Sequence, residues 1–386
     1  MNSGMSAVPG ENRPRLFLMA NTLETGGSER QFATLARALP SNQFALKLGC
    51  LRKCGRFAEG LDGIEEFPPE GTLYGWKSQR ARLALGRYLR VNRIVIAHSF
   101  GFYTNFMLVP SARLARVPVV IGSQRQLGDL LSGFRSAAQH AMFRWCDRVV
   151  CNSRAAARGL ERNGISKGKI TVIPNALPEA AFEVDSPALP RAADQVRIVM
   201  VARMNDPAKR HDVFLKAAAK VAAQHPKVEF VLVGDGPLRA GTEAMAANLG
   251  LGERVIFLGD RRDVAAVLAS CDIGVLSSSS ESLSNAIMES MAAGLPVIAC
   301  RVGGNDELIR DGETGFLVPS GSDEAIAQKI VTLVTQPELR KALGAAARRD
   351  AQNFAVDRIC REYANLYLSL LEEKGIERQA VAQPVT

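Results

Sequence analysis

No stretch of this 386-residue chain approaches the ~18 uninterrupted apolar residues of a membrane span, which excludes a bilayer-crossing helix. No Asp-x-Asp pair occurs, so a divalent metal has no obvious paired carboxylate ligands. The four histidines (His98, His140, His211, His225) lie far apart in sequence and show no metal spacing. Seven cysteines (Cys50, Cys54, Cys146, Cys151, Cys271, Cys300, Cys360) never form Cys-x-x-Cys and fall mostly in apolar runs. An odd count so placed fits reduced, buried thiols in the cytosol better than a disulfide framework or a zinc site. No secretion signal is expected: Arg13-Pro14-Arg15 runs directly into Leu16-Phe17-Leu18-Met19-Ala20, which reads as a first strand.

Hydrophobic residues make up 47% of the chain and charged residues 23%, a globular composition, and the length suits two domains of ordinary size. Short β-branched runs alternate with longer amphipathic segments, the pattern of parallel sheets with crossover helices. Strands are expected at 15–20, 44–51, 93–99, 118–123, 148–152 and 169–174. The pattern restarts with strands at 196–203, 228–235, 254–259, 273–278, 296–300 and 315–319, followed by helices to about residue 375. Between the two series, 186–194 is Pro- and Ala-rich without periodicity and reads as a linker, while 380–386 reads as a disordered tail. The fold class is therefore α/β, two Rossmann-like sheets, with ligands expected beyond the carboxyl ends of the strands.

Several strand ends carry residues suited to a phosphorylated ligand. After Ser278 comes Glu281-Ser-Leu-Ser-Asn-Ala-Ile-Met-Glu289, a polar loop leading into a helix stopped by Gly294 and Pro296. A helix N-terminus near Ser284 presents free N–H groups and a positive dipole end to a phosphate. Glu281 and Glu289 could accept hydrogen bonds from separate hydroxyls of one elongated ligand; a solvated loop Glu and an ordinary helix Glu explain the pair equally well. Arg203 and Lys209, with Arg210 adjoining, set two cations across a turn, which suits phosphate oxygens and would equally suit a solvated turn. Gly26-Gly27 follows the first strand and lets backbone approach a diphosphate, or simply turns tightly. His98 ends the strand 93–99 and is expected at the mouth of a cleft, unless it is a packed core residue. Gly234 to Arg239 and Leu258-Gly259-Asp260-Arg261-Arg262 also occupy strand ends.

The segment 269–318 resembles the signature region of glycosyltransferase family 4, retaining enzymes of GT-B fold whose two Rossmann-like domains face each other across a cleft. The Glu-x7-Glu pair of that family falls on Glu281 and Glu289. The resemblance implies that Glu281 faces the donor sugar, Glu289 holds the nucleotide ribose, and backbone N–H groups around Leu283, Ser284 and Asn285 meet sugar and phosphate. It further implies that Arg203 and Lys209 grip the pyrophosphate, Gly27 reaches it from the first domain, His98 contacts the donor sugar, and Gly234, Gly259 and Arg261 border the nucleotide. His98, Arg203, Lys209 and Glu281 are thus the expected catalytic set. The family commonly has Gly at the positions of Ser282 and Ser284 and an aromatic residue at that of Leu283, so the sugar is not specified.

Three segments are expected: an acceptor-binding domain over 1–190, a nucleotide-sugar domain over 191–355, and a helix over 356–378 returning to the first. The expected activity is a retaining hexosyltransferase of surface polysaccharide or glycoconjugate biosynthesis, moving sugar from a nucleotide diphosphate to a glycan or lipid-linked acceptor without cofactor or metal. A nucleotide-sugar 2-epimerase of the same architecture, or a nucleotide-binding protein without turnover, is the alternative. Residues 1–190 hold 25 Lys and Arg against 14 Asp and Glu, whereas the remainder holds 23 against 25. No nucleic-acid recognition motif accompanies this basic half. An anionic membrane surface is the expected partner, which places the protein in the cytoplasm and peripherally on the inner face of the membrane; a basic surface serving only solubility is the plainer reading.

Overall fold

Strands covered by helices on both faces are apolar throughout rather than alternating, and Leu16 to Ala20 has that character. In the computed structural model, which describes residues 13–69, 75–129, 133–183, 186–190 and 194–376, this run is the buried part of β1 (Arg15–Ala20). It is followed by α1 (Gly27–Ala38), β2 (Ala45–Cys50), β3 (Ile64–Glu66), α2 (Trp76–Val91), β4 (Ile96–Ser99), α3 (Phe102–Leu114) and β5 (Val119–Gln124). Then come α4 (Gly133–Arg144), β6 (Arg148–Cys151), α5 (Arg154–Arg162) and β7 (Ile170–Val172). These strands make one seven-stranded sheet in the order β3-β2-β1-β4-β5-β6-β7, parallel throughout. The strand order reverses between β1 and β4, which leaves a crevice beyond their carboxyl ends. β3 was not anticipated, because its three residues end in the exposed Glu65 and Glu66 and carry no apolar run.

The second series repeats the plan: β8 (Val196–Val201), α6 (His211–Gln224), β9 (Val228–Val233), α7 (Arg239–Asn248), β10 (Val255–Phe257), α8 (Val264–Ala269) and β11 (Ile273–Leu276). It continues with α9 (Asn285–Ala292), β12 (Val297–Cys300), α10 (Asn305–Leu308), β13 (Gly315–Val318), α11 (Asp323–Thr335), α12 (Pro337–Ala351) and α13 (Val356–Glu373). Its six-stranded sheet runs β10-β9-β8-β11-β12-β13, reversing between β8 and β11. The expected linker falls partly outside the described residues, and the expected tail wholly so. All seven cysteines are free thiols, buried except Cys54.

The chain divides into two compact units. Residues through Asn152, Ala157–Ala176 and Val356 onward form the first, and Ser153–Ala156 with Leu177–Ala355 form the second. On α13, Ile359, Tyr363, Tyr367 and Leu370 recur at helical spacing and are buried in the first core with Phe32, Phe44 and Phe100. Tyr367 meets Phe44 edge to face at 5.7 Å. This helix, the last among the described residues, is therefore an integral wall of the first unit. Leu370→Ala is expected to destabilise that unit by about 2–5 kcal/mol through the cavity it leaves, measured as a lowered urea midpoint.

Candidate functional site

In the second unit, backbone bonds knit together the loops that follow β8, β9 and β10. Gly234 N–H donates to the Gly259 carbonyl at 2.8 Å, Met204 N–H to the Asp235 carbonyl at 2.9 Å, and Leu238 N–H to the Met204 carbonyl at 2.8 Å. Gly234 has φ 137°, and a Cβ there would overlap the Ala202 carbonyl oxygen, so only glycine permits this approach. Gly259 lies in the same bridge with φ 67°. Arg261 turns back to make a two-pronged pair with Asp263 at 2.8 and 2.6 Å.

At the reversal between β8 and β11 two of the expected residues, Lys209 and Glu281, come together. Asp206 caps the turn Pro207–Lys209 by accepting from Ala208 N–H at 2.9 Å. The Ser277 hydroxyl donates to the carbonyls of Lys209 and Arg210 at 3.1 and 2.8 Å, and Ser279 N–H to Ala208 at 2.8 Å. The loop after β8 is thereby fastened to the loop after β11. Across this seam Lys209 Nζ donates to Glu281 Oε1 at 2.6 Å, and the Ser278 hydroxyl donates to the same oxygen at 2.9 Å. Arg210 instead forks onto Asp212 at 2.9 and 2.9 Å, so of the two adjacent cations it is Lys209 that reaches Glu281. Arg203 stands exposed on the loop after β8.

Ser284 is the N-cap of α9, accepting from Ile287 N–H at 3.3 Å, and Asn285 is the first helical residue. Ser282 shares a 3.1 Å hydrogen bond with Ser153. Glu289 is a buried carboxylate within α9. The side chain of Leu283 packs into an apolar cluster with Ile287, Met288 and Leu308, so any part it takes in binding falls to its backbone. Ser277, Ser278 and Asp206 escaped sequence reasoning; the Ser277–Ser280 run directly after a strand was the available signal.

Gly27 and His98 belong to the first unit. Gly27 opens α1 just beyond β1, with Gly26 as N-cap. The expectation for His98 needs correction: its ring is not at an open strand end but wholly buried. Nδ1 meets the Tyr367 hydroxyl at 2.8 Å and Nε2 the Ser123 hydroxyl at 2.9 Å. The rings of Phe100, and of Tyr363 and Tyr367 on α13, cover the imidazole at 4.6, 5.9 and 5.8 Å. Burial, helped by the charge of Arg125, lowers the His98 pKa to about 3, so the imidazole is neutral. Tyr363 and Tyr367, four residues apart on the last helix, were the unread signal.

Comparison with known proteins follows the same division. Residues 182–350 match the family model for glycosyl transferases group 1, and 25–180 that for Glycosyltransferase Family 4. A D-inositol 3-phosphate glycosyltransferase of Rhodococcus jostii is 33% identical over 332 residues, covering 82% of this chain and 68% of that protein. An N-acetyl-alpha-D-glucosaminyl L-malate synthase of Bacillus anthracis is 34% identical over 166 residues, spanning 43% of each, so this match takes in under half of the relative's length. Anabaena Alr3699/HepE, solved with UDP and glucose, superposes with TM-score 0.81 at 20% identity over 92% of this chain and 99% of that one. That likeness is one of fold.

The buried His98 makes stability depend on pH. Its folded pKa of about 3 lies below the ~6.5 of an unfolded histidine, so the unfolded chain takes up a proton that the folded chain refuses. Stability is complete above ~6.5 and falls by ~1.4 kcal/mol per pH unit as pH drops from there toward 3. His211, also shifted down by burial, contributes in the same direction. Denaturant titrations from pH 7.5 to 4.5 are expected to show a shallower slope for His98→Gln than for the wild type.

Proposed function

We propose, from the premise that the chain belongs to glycosyltransferase family 4 and has the GT-B fold, that it transfers a sugar from a nucleotide diphosphate donor to a glycan or lipid-linked acceptor with retention of configuration. The observation that carries this reading is the Lys209–Glu281 seam at the reversal of the second sheet, between the Arg203 loop and the N-terminus of α9. A cation, a carboxylate and a helix N-terminus at one strand edge supply partners for a diphosphate and for sugar hydroxyls together. In this reading Arg203 and Lys209 neutralise charge that grows on the departing phosphate, which is where fixed cations lower the barrier most. The acceptor hydroxyl enters on the face the phosphate leaves. Glu281 orients the donor sugar and also holds Lys209, while Glu289 takes the ribose. Gly234, Gly259 and Arg261 border the nucleotide, and Gly27 approaches the phosphates. His98 serves as a neutral support rather than a group in contact with donor.

Two relatives are named for compounds that carry an anionic group, L-malate and D-inositol 3-phosphate. Small anionic acceptors therefore belong in the screen beside glycans and lipid-linked sugars. Surface polysaccharide or glycoconjugate synthesis is the setting we assign. Incubated with UDP-sugars and such acceptors, the protein is expected to release UDP in step with product. Arg203→Ala and Lys209→Ala are each expected to slow the chemical step by about 100-fold, a magnitude typical of lost transition-state charge stabilisation. Activity is expected to survive EDTA. Normal turnover in both variants, or a rate lost to EDTA and restored by magnesium, would remove this reading of the clamp.

Peripheral attachment to an anionic membrane through the first unit is the second part of the proposal. Several arginines in this basic half are spent inside the fold: Arg82 and Arg90 donate to the carbonyls of Phe106 and Leu114, and Arg113 pairs with Asp147 at 2.9 Å. One stripe of α2 nevertheless remains turned to solvent. Arg80, Leu83, Arg87 and Val91 share that face, with Leu83 67% and Val91 70% exposed. Leu114, at the end of α3 beside it, is 67% exposed. Basic residues interleaved with bare aliphatic side chains suit a headgroup layer, at ~1 kcal/mol per cation. Sedimentation with vesicles at low salt is expected to recover more protein on anionic than on neutral lipid, and Leu83→Asp to abolish the difference.

A further inference from the structure

A cavity of about 140 Å³ opens at the strand-order reversal of the first sheet, beyond the carboxyl ends of β1, β4 and β5. Phe100, Ser123, Gln124, Arg125, Gln139 and Glu29 are among its walls. The polar wall is built to hold its shape: Gln139 donates to Gln124 Oε1 at 2.6 Å, and Gln124 donates to the Gln126 carbonyl at 2.7 Å. Arg125 lies over the Phe100 ring, its guanidinium 5.4 Å from the centroid. It donates to Asn175 Oδ1 at 2.6 Å and reaches the Tyr363 hydroxyl at 3.4 Å. Both partners are neutral, and no carboxylate among the described residues lies within ion-pair distance of Arg125. A half-buried guanidinium fixed by neutral groups, with N–H donors to spare, is a site for an incoming anion.

The neighbouring Ser123 is buried in the same wall, and the direction of its hydroxyl follows from the chain behind it. A neutral imidazole has one donor and one acceptor nitrogen. The Tyr367 hydroxyl is fully buried, and among the described residues its partner is His98 Nδ1. A buried phenol must place its proton, so Tyr367 donates to Nδ1, which puts the imidazole proton on Nε2. Nε2–H then donates to Ser123 Oγ, and the Ser123 proton is left for the cavity, beside Arg125.

We propose that this cavity binds the oxyanion of the acceptor, a carboxylate or a phosphate, through Arg125 and the Ser123 hydroxyl, with Glu29 receiving an acceptor hydroxyl. The role as acceptor site rests on the transferase reading above. Tyr367 and His98 are positioning residues, acting through Ser123.

The test is calorimetry with UDP held at saturation, so that the phosphate-binding edge of the second unit is filled. Inorganic phosphate and glucuronate are the two anionic probes, and glucose is the neutral control. The expected result is that at least one anion binds about tenfold more tightly than glucose, the preferred anion telling phosphate from carboxylate acceptors. Arg125→Gln is expected to remove about tenfold or more of that affinity. Ser123→Ala and Tyr367→Phe are each expected to weaken it by about threefold or more. The double variant is expected to be no weaker than Ser123→Ala alone, the non-additivity that action through Ser123 requires. UDP affinity should be the same in every variant. If neither anion binds better than glucose, or if the Ser123 and Tyr367 substitutions leave anion affinity intact, the site is overturned. Retained anion binding in a protein that turns over no nucleotide sugar would count against the transferase reading alone.

Discussion

The ion pair between Lys209 and Glu281 joins loops 72 residues apart in sequence, at the place where the second sheet reverses its strand order. A pair of this kind, little exposed to water, is costly unless further hydrogen bonds satisfy it. Ser278 supplies one of those bonds, and Ser277 holds the backbone from which Lys209 projects. Neutralising each other in the absence of ligand lets a cation and an acid wait side by side at one strand edge. Under the proposed function, a diphosphate arriving there would meet a lysine already aimed, with its carboxylate partner placed for a sugar hydroxyl.

Much of this could be read from residues alone. Twelve expected strands correspond to strands in the structure because fully covered parallel strands advertise themselves as short apolar runs between polar segments. The three-residue edge strand Ile64–Glu66 has no such run. Nearness in sequence to strand ends placed Lys209 and Glu281 at one edge, where they pair, since a doubly wound sheet delivers its loops there. Sequence position did not reveal that Arg210 would turn to Asp212, because two adjacent cations differ only in the turn that precedes them. That turn is set by the Asp206 cap and the left-handed φ of 53° at Arg210.

His98 shows the opposite failure. A histidine at a strand end looks exposed in one dimension, and the return of α13 helps to bury it. Phe100 supplies a local part of that cover, its ring 4.6 Å from the imidazole, and the rest arrives more than 250 residues later, through the aromatic residues at 363 and 367. The polar wall of the first-unit cavity therefore depends on a helix that shares no sequence neighbourhood with it.

The position of α13 also has a bearing on the order in which the molecule can be made. Residues 177–355 form the second unit as one nearly continuous stretch, and they leave the ribosome before Ile359, Tyr363, Tyr367 and Leu370 do. Domains generally fold as units during synthesis, yet the first-synthesised unit here cannot close its core until the whole of the second has emerged. Translation thus delivers a finished second unit beside an unfinished first one, with Phe32, Phe44 and Phe100 lacking their last neighbours during that interval. A nascent chain of this design is most in need of chaperone cover at its beginning, not at its growing end.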